Sequence, residues 1–211
     1  MTVTIGIVAI LITAFGCFSN WLNWRFLNYR PVRLLYYIGA LVHESSHALL
    51  CLVTGAKITE FKAFSTQPHV THGKPRLPLI GKPLISLAPI AGGLAFMYLV
   101  SHFLLASRFS LPIPSSITDI RDVAGAIFHF ISQFDPIAWQ SWVMALLMLN
   151  AGAMIGPSPQ DLKNIWPALL ILLFIPCAPI VSIGIAALGL IIVNIFIQLI
   201  LASFSMILRK L

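Results

Sequence analysis

Apolar runs about as long as a bilayer is thick, separated by short polar stretches, set the plan of this chain. A helix rises about 1.5 Å per residue, so about 20 apolar residues cross the hydrocarbon core. Runs of this kind extend from Val3 to Trp21, Leu34 to Val53, Leu79 to Ala106 and Ile137 to Ile155, and two more, Leu162 to Pro176 and Ile180 to Leu208, are separated by Pro176 and Pro179. The pattern predicts an all-α polytopic membrane protein of about six transmembrane helices, a single integral membrane domain over residues 1–211. Trp21, Trp24, Arg25, Arg30 and Arg33 form an aromatic and basic interface after the first run, and Thr54-Gly55 is a stop signal for the second. Between Ala56 and Pro78 the chain is polar, with Lys57, Lys62, Lys74 and Arg76 and turn-forming Pro68, Gly73 and Pro75. A β-hairpin is one reading of that insertion, although Ile58, Phe61 and Phe64 do not alternate with period two. From Thr118, an N-cap candidate, Ile120, Val123, Ile127, Ile131 and Phe134 recur at helical spacing among Asp119, Arg121 and Asp122, as in a helix lying in the interface.

Composition agrees with that plan. The chain is 59% hydrophobic and 9% charged, where soluble domains carry roughly a quarter charged residues. Its net charge of +7 does not indicate nucleic acid, because Lys and Arg sit between apolar runs and read as flanks for the lipid bilayer. With the N-terminus inside, eight Lys and Arg fall on the inner side and five on the outer, which favours a cytoplasmic N-terminus and hairpin side in a cell (inner) membrane. Cys17, Cys51 and Cys177 are odd in number and embedded in apolar sequence, so they are small hydrophobes and not a disulfide framework. Val3 to Cys17 has no preceding Lys or Arg and no small-x-small cleavage site, and is read as a membrane helix instead of a secretory signal.

Chemistry concentrates in a few polar residues within the apolar runs. His43-Glu44-Ser45-Ser46-His47 is HExxH inside the second run. At 100° per residue its histidines lie about 40° apart on one face, one turn apart in height, which suits two imidazoles converging on one zinc ion. Glu44 stands beside the first ligand, where its carboxylate can act as general base without ligating. With 6 His and 2 Glu in the chain, random placement gives this motif roughly 0.0016 times. The competing reading is a polar cluster that ties helices together, but each charge at the centre of a span costs about 2.5 to 3.5 kcal/mol.

A catalytic zinc takes three protein ligands. Among the remaining candidates, Asp161 adjoins the helix break Gly156-Pro157-Ser158-Pro159-Gln160, which at membrane depth is tolerated only against protein or a watery cavity. Asp161 reads as third ligand or as N-cap for Leu162 onward. His69 and His72 read as solvated loop residues, a second metal site, or groups poised over the first, whereas His102 and His129 are isolated. Asn150 either hydrogen-bonds a substrate backbone or ties two helices.

These residues resemble the intramembrane zinc metalloproteases of the site-2 protease type. That family carries HExxH on one transmembrane helix and an NxxPxxxxDG-like segment, with its Asp as third zinc ligand, on a later one. Val42 to Ala48 matches the first motif, including the HExxHA form. Asn150, Pro157 and Asp161 resemble the second, with a longer Asn-to-Pro spacing and Leu162 in place of Gly. Ser86-Leu87-Ala88-Pro89-Ile90-Ala91-Gly92-Gly93 is similar to the start of the family's middle core helix. The resemblance covers about residues 32–164, with 165–211 as additional membrane helices, and describes a compact member without a PDZ domain. It implies a zinc-dependent endopeptidase with ligands His43, His47 and Asp161, base Glu44, and a membrane-protein substrate. That substrate would unwind and pair with a strand edge within Ala56 to Phe64. The alternative is a non-catalytic zinc-binding membrane protein, a pseudoprotease or scaffold.

Overall fold

A computed structural model describes residues 5–26, 30–65, 68–106, 108–109, 120–172 and 178–208. Among them are seven α-helices: α1 (Ile5–Phe26), α2 (Arg30–Thr54), α3 (Pro78–Leu99, extended by a π-helical turn Val100–Leu104), α4 (Ile120–Ser132), α5 (Trp139–Ile155), α6 (Pro159–Leu172) and α7 (Ala178–Leu208). The polar insertion after α2 is an antiparallel hairpin of β1 (Ile58–Lys62) and β2 (His69–His72). Thr118, Asp119 and Cys177 lie outside the described residues.

Local chemistry accounts for the element ends. α2 stops where expected: Gly55 takes a left-handed conformation (φ 71°), its N–H donates to the Leu52 carbonyl, and the Ala56 N–H donates to the Cys51 carbonyl. That paired arrangement satisfies two carbonyls at the helix end. The hairpin pairs Ile58 with His72 but Glu60 with Thr71, so the register shifts at Thr59. A bulge of this kind adds a residue to one strand, which explains why the apolar positions here do not alternate.

α5 lies at the centre, packed against α1, α2, α3 and α7. The core joins Ile12 of α1, Met97 of α3, Met144, Met148, Met154 and Ile155 of α5, and Leu190 and Ile191 of α7. Small residues permit close approach: a Cβ on Gly93 would lie 2.8 Å from Ile155, and one on Gly92 would run into the Ser46 hydroxyl. One buried polar network ties three helices of this bundle. The Ser19 hydroxyl donates to the Asn194 amide oxygen (2.7 Å), while the Asn194 nitrogen donates to the Met148 and Leu149 carbonyls (2.9 and 3.0 Å), joining α1, α5 and α7. α4 turns Phe130 inward and half-buries Ile127, whereas Ile131, expected on that face, is exposed.

The expectation of six crossing helices needs correction. By length and hydropathy, Pro78–Leu104 and Val181–Ser203 can each cross a membrane, and Trp139–Ile155 with Gln160–Trp166, bent by 58° at the break, makes a third if the pair counts as one span. The apolar stretch described in α1, Gly6–Ser19, is short of a crossing. α2 mixes Arg30, Arg33, His43, Glu44 and His47 into its apolar sequence. α6, at 14 residues, spans about 21 Å of a core about 30 Å thick.

Candidate metal centre

The HExxH segment lies in the second half of α2, far from either end. His43, Glu44 and His47 are 6–7% exposed and Asp161 is 5% exposed, so four ionisable side chains share one buried location. Such groups are retained in an interior only when paired or bound to an ion. His43 Nε2 and His47 Nε2 are 3.1 Å apart. Asp161 Oδ2 lies 3.6 Å from His43 Nε2, and Oδ1 lies 3.4 Å from His47 Nε2. An ion held tetrahedrally by bonds of about 2.0–2.1 Å separates its ligand atoms by about 3.3 Å. The three side chains therefore form a group able to hold a metal ion, and among the described residues it is the one such cluster.

Asp161 reaches this position through the helix break. Pro157 and Pro159 flank Ser158, which is the N-cap of α6, with Pro159 in the first helical position, where a missing N–H costs nothing. The Asp161 N–H donates to Ser158 Oγ (3.2 Å), and Asp161 Oδ2 accepts from the Ser158 N–H (2.8 Å) and hydroxyl (2.6 Å). This is a reciprocal capping box, with Asp161 three residues into the motif and not itself the cap. The N-cap reading of Asp161 is thereby corrected: Ser158 is the cap, and the Asp161 carboxylate closes the helix start as its partner while facing both histidines.

His47 is oriented by α3. Its Nδ1 lies 2.8 Å from the Ile85 carbonyl, so Nδ1 carries the proton and Nε2 presents its lone pair to the cluster. That carbonyl is available for a specific reason. Its helical donor would be the N–H of residue 89, and Pro89, inside α3, has none.

A cavity of about 1060 Å³ opens over the cluster, lined at its base by His43, Glu44, His47 and Asp161 and on one side by β2. His69 and His72 are thus strand residues at this cavity and not loop residues. His69 Nε2 is 3.3 Å from Glu60 Oε2, and His72 Nδ1 is 2.8 Å from the Gly73 carbonyl. On the outer surface of the hairpin, Lys62 and then His69 hold the Glu60 carboxyl below its ordinary range. His102 stacks on Tyr98 and His129 is on α4, and neither lines the cavity.

Asn150 does not join the site. It is fully buried, its Nδ2 donates to the Leu146 carbonyl (2.7 Å), and its Oδ1 accepts from the Gly39 N–H (3.3 Å), one turn before His43. These bonds form the helix tie, α5 to α2, and Asn150 is not among the residues that line the cavity over the cluster. Three contributors were missed: Ser158, Pro89 through the Ile85 carbonyl, and Asn164, whose Nδ2 donates to Ser86 Oγ (3.3 Å) across α6 and α3. Ser-Pro-x-Asp was a readable cap signal for the first.

No protein-family model matches the chain, and neither a curated protein nor a solved structure does.

Proposed function

We propose that this chain is a zinc-dependent intramembrane endopeptidase of the site-2 protease type, hydrolysing a peptide bond in or near a transmembrane segment of another membrane protein. The observation that carries the reading is the convergence of buried His43, His47 and Asp161 at tetrahedral ligand spacing with Glu44 in the same cavity. Two imidazoles and one carboxylate are the donor set of hydrolytic zinc sites, which leave a position open. Zinc, when bound, supplies a water acidic enough to lose its proton near neutral pH and polarises the scissile carbonyl.

Glu44 takes that proton and delivers it to the departing amine. Ser158 and the Ile85 carbonyl hold Asp161 and His47 in their ligating orientations. The substrate helix unwinds to expose its amide, and its freed backbone groups find partners on β2. Pairing on His69–His72 is the form of this step that the cavity lining supports, in preference to an edge within Ala56 to Phe64, because β2 lines the cavity and β1 does not.

Purified protein is expected to hold about one zinc per chain, lost in His43→Ala and Asp161→Ala. Glu44→Gln is expected to keep the zinc and lose cleavage of a transmembrane reporter by at least about 100-fold. Zinc retention with an unchanged cleavage pattern in Glu44→Gln would replace the peptidase reading with that of a non-catalytic zinc-binding protein, which the Leu162 departure from the family motif favours.

A further inference from the structure

The base of the cavity carries the cluster and Glu44, but its wall is of one sign. Lys74 follows β2, Lys82 is on the second turn of α3, and Lys163 is on the first turns of α6, so a connection and two helices each contribute a lysine to the lining of one space. All three are exposed. The carboxylates that might have neutralised them are engaged elsewhere: Glu60 with Lys62 and His69, and Asp135 with Arg108 at 2.7 Å. Among the described residues no carboxylate lies within ion-pair distance of Lys74, Lys82 or Lys163. The rest of the lining mixes hydrogen-bonding Thr71, Ser86, Gln160 and Asn164 with apolar Pro68, Val70 and Ile85 and adds no further carboxylate. A concave site lined by one charge focuses its field inward and selects partners of opposite sign.

We propose that Lys74, Lys82 and Lys163 determine specificity for an acidic peptide segment, the Asp- or Glu-rich stretch flanking the transmembrane helix of the substrate. The proposal rests on the peptidase reading for the identity of its ligand as a substrate. A peptide is favoured over a lipid headgroup because the lysines line the same concavity as Glu44 and β2, where an extended chain has backbone partners and a headgroup has none.

The test uses the full-length, zinc-loaded Glu44→Gln protein in phosphatidylcholine vesicles. The probes are fluorescent single-helix peptides of Leu and Ala, flanked by Asp-Glu-Asp or by Asn-Gln-Asn, and binding is read by energy transfer. The acidic peptide is expected to bind at least about tenfold tighter, and the ratio to shrink as salt rises. Lys74→Gln, Lys82→Gln and Lys163→Gln together are expected to bring the ratio to within about twofold, whereas the triple Lys→Arg variant keeps it and controls for folding. An unchanged ratio in the triple Gln variant overturns the proposal. So does loss of a response to added phosphatidylglycerol with the peptide ratio intact, which assigns the lysines to headgroups. The two readings fail separately. Wild-type protein that cuts neither peptide while the ratio holds refutes the peptidase, and cutting of both with equal KM refutes the lysine selectivity.

Discussion

Ser158→Ala isolates the device that aims Asp161. The substitution removes the hydroxyl that donates to Asp161 Oδ2 at 2.6 Å and accepts the Asp161 N–H at 3.2 Å, but leaves the backbone N–H bond to Oδ2 at 2.8 Å. A hydrogen bond to a charged group contributes about 1.5–3 kcal/mol, and one of the two bonds to Oδ2 survives. Removal of the supporting partner of a metal ligand typically costs 10- to 100-fold in affinity, about 1.4–2.7 kcal/mol. Loss of the cap is expected to lower folding stability by about 1 kcal/mol. A zinc titration against a chromophoric chelator in detergent should therefore show Kd raised by about 10- to 100-fold, with Ser158→Thr close to wild type because it keeps the hydroxyl. A metal-free thermal midpoint measured alongside separates the cap from the ligand effect. Zinc affinity in Ser158→Ala within about twofold of wild type would refute the reasoning, since the carboxylate would then hold its orientation without the hydroxyl.

Asn150→Ala should lower stability by about 1–2 kcal/mol, because it strips the buried tie between α5 and Gly39 of α2. KM for a peptide substrate should stay within about twofold, and a larger rise would restore the substrate-binding role. Gly92→Ala should cost about 1–3 kcal/mol by forcing α3 off Ser46, and Ser46→Gly in the same chain should recover part of it in thermal denaturation. Glu60 has a depressed carboxyl pKa, so its contribution is present above the ordinary value near about 4.3 and is lost as pH falls through the folded one. Amide-exchange protection of the hairpin should accordingly fall as the medium is acidified below about pH 5, and Glu60→Gln should remove that dependence.

The reach of the sequence differed between elements. His43, Glu44 and His47 were legible because helical spacing alone fixes which side chains share a face, and Asp161 because a carboxylate beside a broken apolar helix has few inexpensive explanations. The direction of Asn150 was not legible, since a buried amide satisfies a neighbouring backbone as readily as a ligand, and only the packing of α5 on α2 decides. The bulge at Thr59 hid the hairpin from a period-two test. Hydropathy overstated the spans because an apolar run in the interior of a helix bundle and one crossing a bilayer read alike until length and breaks are known. The free carbonyl that orients His47 was written in the chain as Pro89, but its meaning depends on which helix lies opposite Ile85.

That proline also acts as a register key. Helices in a bilayer slide and rotate against one another with little hydrophobic penalty, since lipid and side chain are equally apolar. Around Ile85, α3 offers α2 a carbonyl whose own helical donor is missing, so seating His47 at that height and azimuth is favoured over one residue along, where the carbonyl already has a helical donor. A residue unable to form a hydrogen bond thereby indexes two helices against each other, and the same seating that aligns them turns the imidazole toward the cluster. Correct assembly of the bundle and completion of the cluster become a single event, so a misaligned pair of helices would lack the arrangement able to hold a metal ion.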